Sequence, residues 1–227
     1  MTIFDIIGPV MVGPSSSHTA GAVKIGNIAL KLMGEKIKTA DIYFHGSFAT
    51  TGKGHGTDRA IVAGLLGLSV DDRRIPDSFR LAKEAGMDIH FGRVDLGDEA
   101  HPNSVKLDLT GVHGRTLEVI ASSIGGGRIQ IDQLDGLVTG FSGDHPTLIV
   151  HNLDQPGHVA AVTSMLEHKS VNIASMKLSR SGRGQNAVMV IECDQEIPPE
   201  GIKWLVHQEG VKKVTYLSLS DHEETED

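Results

Sequence analysis

Ser104-Val105-Lys106-Leu107-Asp108-Leu109 places an apolar side chain at every second position, with polar or charged residues between. Successive side chains leave a strand on opposite sides, so this period of two marks a strand with one buried and one solvated face. Asp88–Phe91, Thr116–Ile120 and Arg128–Asp132 repeat the pattern, and Gly-rich turns separate the later runs. Upstream the period changes. Ala22, Ile25, Ala29 and Leu32 recur at helical spacing, and Gly34 closes the run. Asp41–His45 reads as a short strand, Asp58 opens a helix through Leu66, and Asp77 caps a third helix that ends by Gly86. Helices early and antiparallel strands late predict an α+β domain over residues 1–143.

Phe141-Ser142-Gly143-Asp144-His145-Pro146 reads as a linker, after which the pattern restarts. A strand at Thr147–His151, a turn at Asp154–Gly157 and a helix at His158–His168 come first. Strands at Val171–Leu178 and Ala187–Glu192, a helix at Pro199–His207 and a strand at Val211–Leu217 follow. This βαββαβ order over residues 147–219 predicts a ferredoxin-like layer, a four-stranded antiparallel sheet with both helices on one face. Such a sheet leaves an edge open for self-association. Residues 220–227, five of the eight acidic, read as a disordered tail.

The formal charge is −8, without a basic block, which argues against nucleic acid or an anionic membrane as partner. No apolar run approaches ~20 residues and no charged leader precedes one, so a cytoplasmic protein is expected. Cys193 is the single cysteine and lies in the apolar run Ala187–Cys193. It has no internal disulfide partner and cannot alone build a zinc or iron–sulfur site. No metal ligand is assigned to this chain, and any cluster it works with belongs to another polypeptide.

Two segments carry chemistry. Gly13-Pro14-Ser15-Ser16-Ser17-His18-Thr19 sets hydroxyls and an imidazole before a helical run, where free backbone N–H groups favour an anion. Ordinary helix capping explains any one of those serines. A second segment, Thr51-Gly52-Lys53-Gly54-His55-Gly56-Thr57-Asp58, resembles the first and reads as a loop between strand and helix. Gly125-Gly126-Gly127-Arg128 offers either an anion nest or a hairpin turn, and the flanking strands favour the turn.

Together with Gly8-Pro9 ahead of the first segment, these motifs resemble the β portion of iron–sulfur-dependent L-serine dehydratases. In its first domain the chain is also similar to the allosteric substrate-binding domain of some phosphoglycerate dehydrogenases. Thr147–Ser218, with Asp154-x-Pro156-Gly157 and Val171-Asn172-Ile173, resembles an ACT domain. The dehydratase resemblance implies dehydration and deamination of L-serine to pyruvate and ammonia. It also implies a partner α subunit whose cysteines hold a [4Fe–4S] cluster acting as Lewis acid. In this chain it implies His55 as the proton-transfer residue and His18 as its partner or a substrate anchor. Ser15, Ser16, Ser17, Thr19 and Lys53 would hold the substrate carboxylate. The ACT resemblance implies an amino-acid effector near Asn152, Asp154, Gly157 and Asn172 at a dimer interface. A non-catalytic serine-sensing module is the competing reading.

Overall fold

The structure, a computed structural model, describes residues 11–218. Gly8, Pro9 and the acidic tail from residue 220 lie outside the described residues. The fold is α+β, and the chain divides into two compact units, Met1–Gly136 and Leu137–Asp227.

In the first unit a π-helical segment, Ser16–Gly21, runs directly into α1 (Ala22–Met33). Ser15 caps it from an extended backbone, its Oγ accepting from the His18 N–H. The chain continues through β1 (Ile37–Phe44), α2 (Gly46–His55), α3 (Thr57–Leu65) and α4 (Ser78–Glu84). Strands β2 (Asp88–Arg93), β3 (Ser104–Gly111), β4 (Thr116–Gly125) and β5 (Arg128–Leu134) follow. Their order is β2-β1-β3-β4-β5. The alternating runs behave as expected: Val105, Leu107 and Leu109 are buried while Lys106 and Asp108 stay partly exposed. Gly125–Arg128 is the β4–β5 hairpin turn.

Two features depart from the expected pattern. β2 pairs with β1 in parallel, because the helices between them form a crossover rather than a hairpin. The Gly52–Asp58 segment is not a loop: α2 runs on to His55, and Gly56 alone, at φ 71, turns the chain into α3. Phe48, 1% exposed, anchors α2, so glycines that weaken a helix are tolerated within a packed one.

Helices α1 and α3 cross at touching backbones. A Cβ on Gly26 would sit 2.5 Å from the Ile61 carbonyl oxygen, and one on Gly64 would sit 2.1 Å from that of Val23. Both distances are below any ordinary carbon–oxygen contact, so only glycine permits this approach.

The second unit opens with β6 (Leu137–Phe141). Then come β7 (Thr147–Leu153), α5 (His158–His168), β8 (Ile173–Arg180), β9 (Asn186–Cys193), α6 (Pro199–Val206) and β10 (Val211–Leu217). The order β10-β7-β9-β8, antiparallel throughout, is the ferredoxin-like arrangement the sequence predicts. Leu148, Val150, Val162, Leu166, Met189 and Ile191 form its core. Residues 141–146, expected as a linker, are fastened to this unit. Phe141 is buried, and the Ser142 N–H and Oγ–H both donate to Glu192 Oε1, at 3.1 and 3.0 Å. The Cys193 N–H donates to the Pro146 carbonyl.

Candidate active site

The π-helical segment and α2 bring together the two histidines that the sequence singled out. The imidazoles of His18 and His55 lie with centroids 4.9 Å apart. His18 also packs edge-on against Phe48, at 5.3 Å. Its Nε2 lies 3.1 Å from Thr51 Oγ1 and 3.4 Å from Ser47 Oγ, and its Nδ1 lies 3.5 Å from Ser15 Oγ. Partial burial is the main force holding the His18 pKa below its ordinary value, and the charge of His55 adds to it. A hydrogen bond to the Ser47 backbone opposes both. At pH 7 His18 is therefore a neutral imidazole able to accept a proton.

Thr19 is buried, and its hydroxyl reaches toward the His55 carbonyl at 3.5 Å. Ser15 is occupied as the helix cap, while Ser16 and Ser17 are half-buried in the π-helical segment. A cavity of about 220 Å³, lined by Gly13, Thr19, Gly54, His55 and Arg59, opens next to this segment, and its lining includes neither His18 nor Ser15–Ser17. It is smaller than the roughly 300–1,000 Å³ of drug-sized ligand sites and suits a small metabolite. Lys53 is not part of this cavity. It lines a separate depression with Phe44, Phe48, Asp58 and Phe91, because two helical positions from His55 turn it to another face.

Sequence reading missed Ser47, Thr51 and Arg59 as members of the site. The signal for the first two was their i, i+4 spacing, which has meaning only once this segment is known to be a helix.

In the second unit Asn152 is 3% exposed. Its Nδ2 donates to the Leu153 carbonyl at 2.5 Å, and its Oδ1 is buried without a partner. Asp154 accepts from the Gly184 N–H and the Arg180 guanidinium, in that order the forces holding its carboxyl below the usual range. Gly157, at φ 101, starts α5 without a side-chain cap. Asn172 lies elsewhere: its Nδ2 donates to Asp194 Oδ2 and its N–H to Gln195 Oε1. Asn152 pairs with Ala187 at one end of β9, whereas Ile173 pairs with Cys193 at the other. About 20 Å of extended strand separates them, so one copy of the chain does not gather all four effector candidates.

Residues 2–87 match the family model described as serine dehydratase beta chain. A probable L-serine dehydratase beta chain of Bacillus subtilis (strain 168) is 42% identical, over 96% of this chain and 98% of its own length. The chain belongs to the serine dehydratase beta-chain family. An L-serine dehydratase beta chain of Peptoniphilus asaccharolyticus is also 42% identical, over 86% of this chain and 87% of its own. A D-3-phosphoglycerate dehydrogenase of Methanocaldococcus jannaschii is 24% identical, over 87% of this chain and 37% of its own.

The residues of this beta chain do not fit an iron–sulfur cluster. Its one cysteine, Cys193, is fully buried, with burial pushing the thiol up to about 11. Among the described residues no group of three or more His, Cys, Asp or Glu is placed to hold a metal ion. No helix among them is long and apolar enough to cross a membrane.

Proposed function

We propose that this chain is the β subunit of a cytoplasmic L-serine ammonia-lyase, which converts L-serine to pyruvate and ammonia together with an α subunit. The [4Fe–4S] cluster of such an enzyme would reside on that partner, since the donors here do not make a cluster site. The observation that carries the reading is the His18–His55 pair, two imidazoles at 4.9 Å of which His55 lines a small cavity. Loss of water from serine requires removal of a weakly acidic Cα proton, a task suited to a neutral imidazole near pH 7. His18 is neutral and held on both ring nitrogens, which makes it the stronger candidate for proton acceptor, with His55 placed to share or relay the charge. Thr19 and Arg59, which line that cavity, would bind the substrate, with Ser15–Ser17 in the adjoining segment. Arg59 takes the carboxylate role that the sequence suggested for Lys53, which points into another depression.

The ferredoxin-like unit is read as an ACT domain that self-associates. The unpartnered Asn152 Oδ1 beside the uncapped start of α5 supports an amino-acid site there. Asn172 would join it only from a second copy.

A second reading, a serine sensor without catalytic groups, is favoured by the likeness to a dehydrogenase with a different named activity. Substitution separates the two. His18→Ala and His55→Ala, each assembled with the α subunit, should lower kcat by about 10²-fold or more while assembly persists. A sensor would keep its kcat and change only its response to serine. Unchanged kcat in both variants would overturn the catalytic reading.

A further inference from the structure

The hydrogen bonds around His18 leave little freedom in where its proton sits. Thr51 Oγ1 donates its only hydrogen to the Ser47 carbonyl, four residues back along α2, at 2.9 Å. Its lone pairs then face His18 Nε2 at 3.1 Å, and an acceptor there requires an N–H on that nitrogen. At the opposite end of the ring, Ser15 Oγ already accepts from the His18 N–H at 3.1 Å. Its hydroxyl hydrogen is therefore free to point at Nδ1, 3.5 Å away. The Nε2 end of the imidazole requires this tautomer, and the Nδ1 end accommodates it.

We infer that Thr51 is a positioning residue that fixes His18 as the Nε2–H tautomer, leaving Nδ1, on the Ser15 side, as the atom that accepts a proton. The assignment of the tautomer rests on the geometry alone; its part in the reaction rests on the reading of His18 given above. A serine bound with its Cα–H toward Nδ1 would displace the long Ser15 contact, and the proton would form a new N–H there. Thr51 would hold the resulting imidazolium through its Nε2–H.

Thr51 is exposed, so its replacement should leave the fold intact. The test uses the full-length chain labelled with ¹⁵N in histidine, with the two His18 ring nitrogens followed by NMR above the pH of titration. Wild type and Thr51→Ser should both show a protonated Nε2 and an unprotonated Nδ1. Thr51→Val should lose the slowly exchanging Nε2–H or mix the tautomers. In the αβ complex Thr51→Val should lower kcat by roughly tenfold or more with a smaller change in KM, and Thr51→Ser should restore it. A proton on Nδ1 in wild type, or ring signals that Thr51→Val leaves unchanged, would overturn the tautomer assignment. The expected NMR change with an unaltered kcat would instead overturn the role of His18 in the reaction.

Discussion

His18 is the residue on which the site turns, and its titration is the direct reading of its surroundings. Burial first, and the charge of His55 second, hold its pKa below the ordinary 6.5. A histidine depressed in the folded state binds fewer protons there than when unfolded. Its contribution to stability is therefore present above about pH 6.5 and is lost as the pH falls through the folded value. His55→Ala removes the repelling charge but leaves the burial. The NMR midpoint of His18 should therefore rise in that variant yet remain below 6.5, and an unchanged or lower midpoint would exclude coupling between the two rings. That these histidines lie close together was legible in the sequence, because two similar Gly/Ser/His segments in one chain invite pairing. That Thr51 and Ser47 grip one of them was not. Their hydroxyls meet His18 only across one turn of α2, and the glycines at 52, 54 and 56 disguise that helix as a loop. The separation of Lys53 from His55 was hidden for the same reason, since two steps along a helix rotate a side chain by roughly 200°.

Among the elements, α1 and α3 carry the most demanding packing. Their crossing leaves no room at Gly26 or Gly64 even for a methyl group, and the obstructing atoms are backbone. Gly64→Ala should destabilise the chain by about 1–3 kcal/mol, as overpacking of a well-filled interior does, despite the gain in helix propensity. Chemical denaturation of the two proteins measures it, and equal stability would mean that the helices can move apart freely. The strands were the most readable elements, since Val105, Leu107 and Leu109 alternate with polar residues that the sheet keeps partly exposed. Alternation does not encode direction, however, and the parallel β1–β2 pair looks no different from an antiparallel one until the helices between them are counted. β6 was hidden by its length and by Gly140, and its neighbours passed for a linker because Ser, Gly, Asp and Pro say nothing of the Glu192 carboxylate that fixes Ser142.

For the molecule as a whole, the division of labour proposed here has simple consequences in solution. The purified chain should be colourless and without dehydratase activity, and activity should appear when the α subunit is added back. Turnover by the chain alone would refute the division. The open outer edge of β8 should pair with a second copy, so sizing at micromolar concentration should show at least a dimer; a monomer would count against self-association through this sheet. The ferredoxin-like order was legible because six elements in some seventy residues leave few other topologies. The placement of Asn172 away from Asn152 was not, because register along β9 decides it. The glycine crossing of α1 and α3 reaches further than stability. His18 lies just ahead of α1 and His55 just ahead of α3, so both imidazoles ride on the same ends of two helices whose spacing is set by two missing methyl groups. The crossing is in effect a length standard, built remote from the chemistry, that calibrates how close the two rings may come.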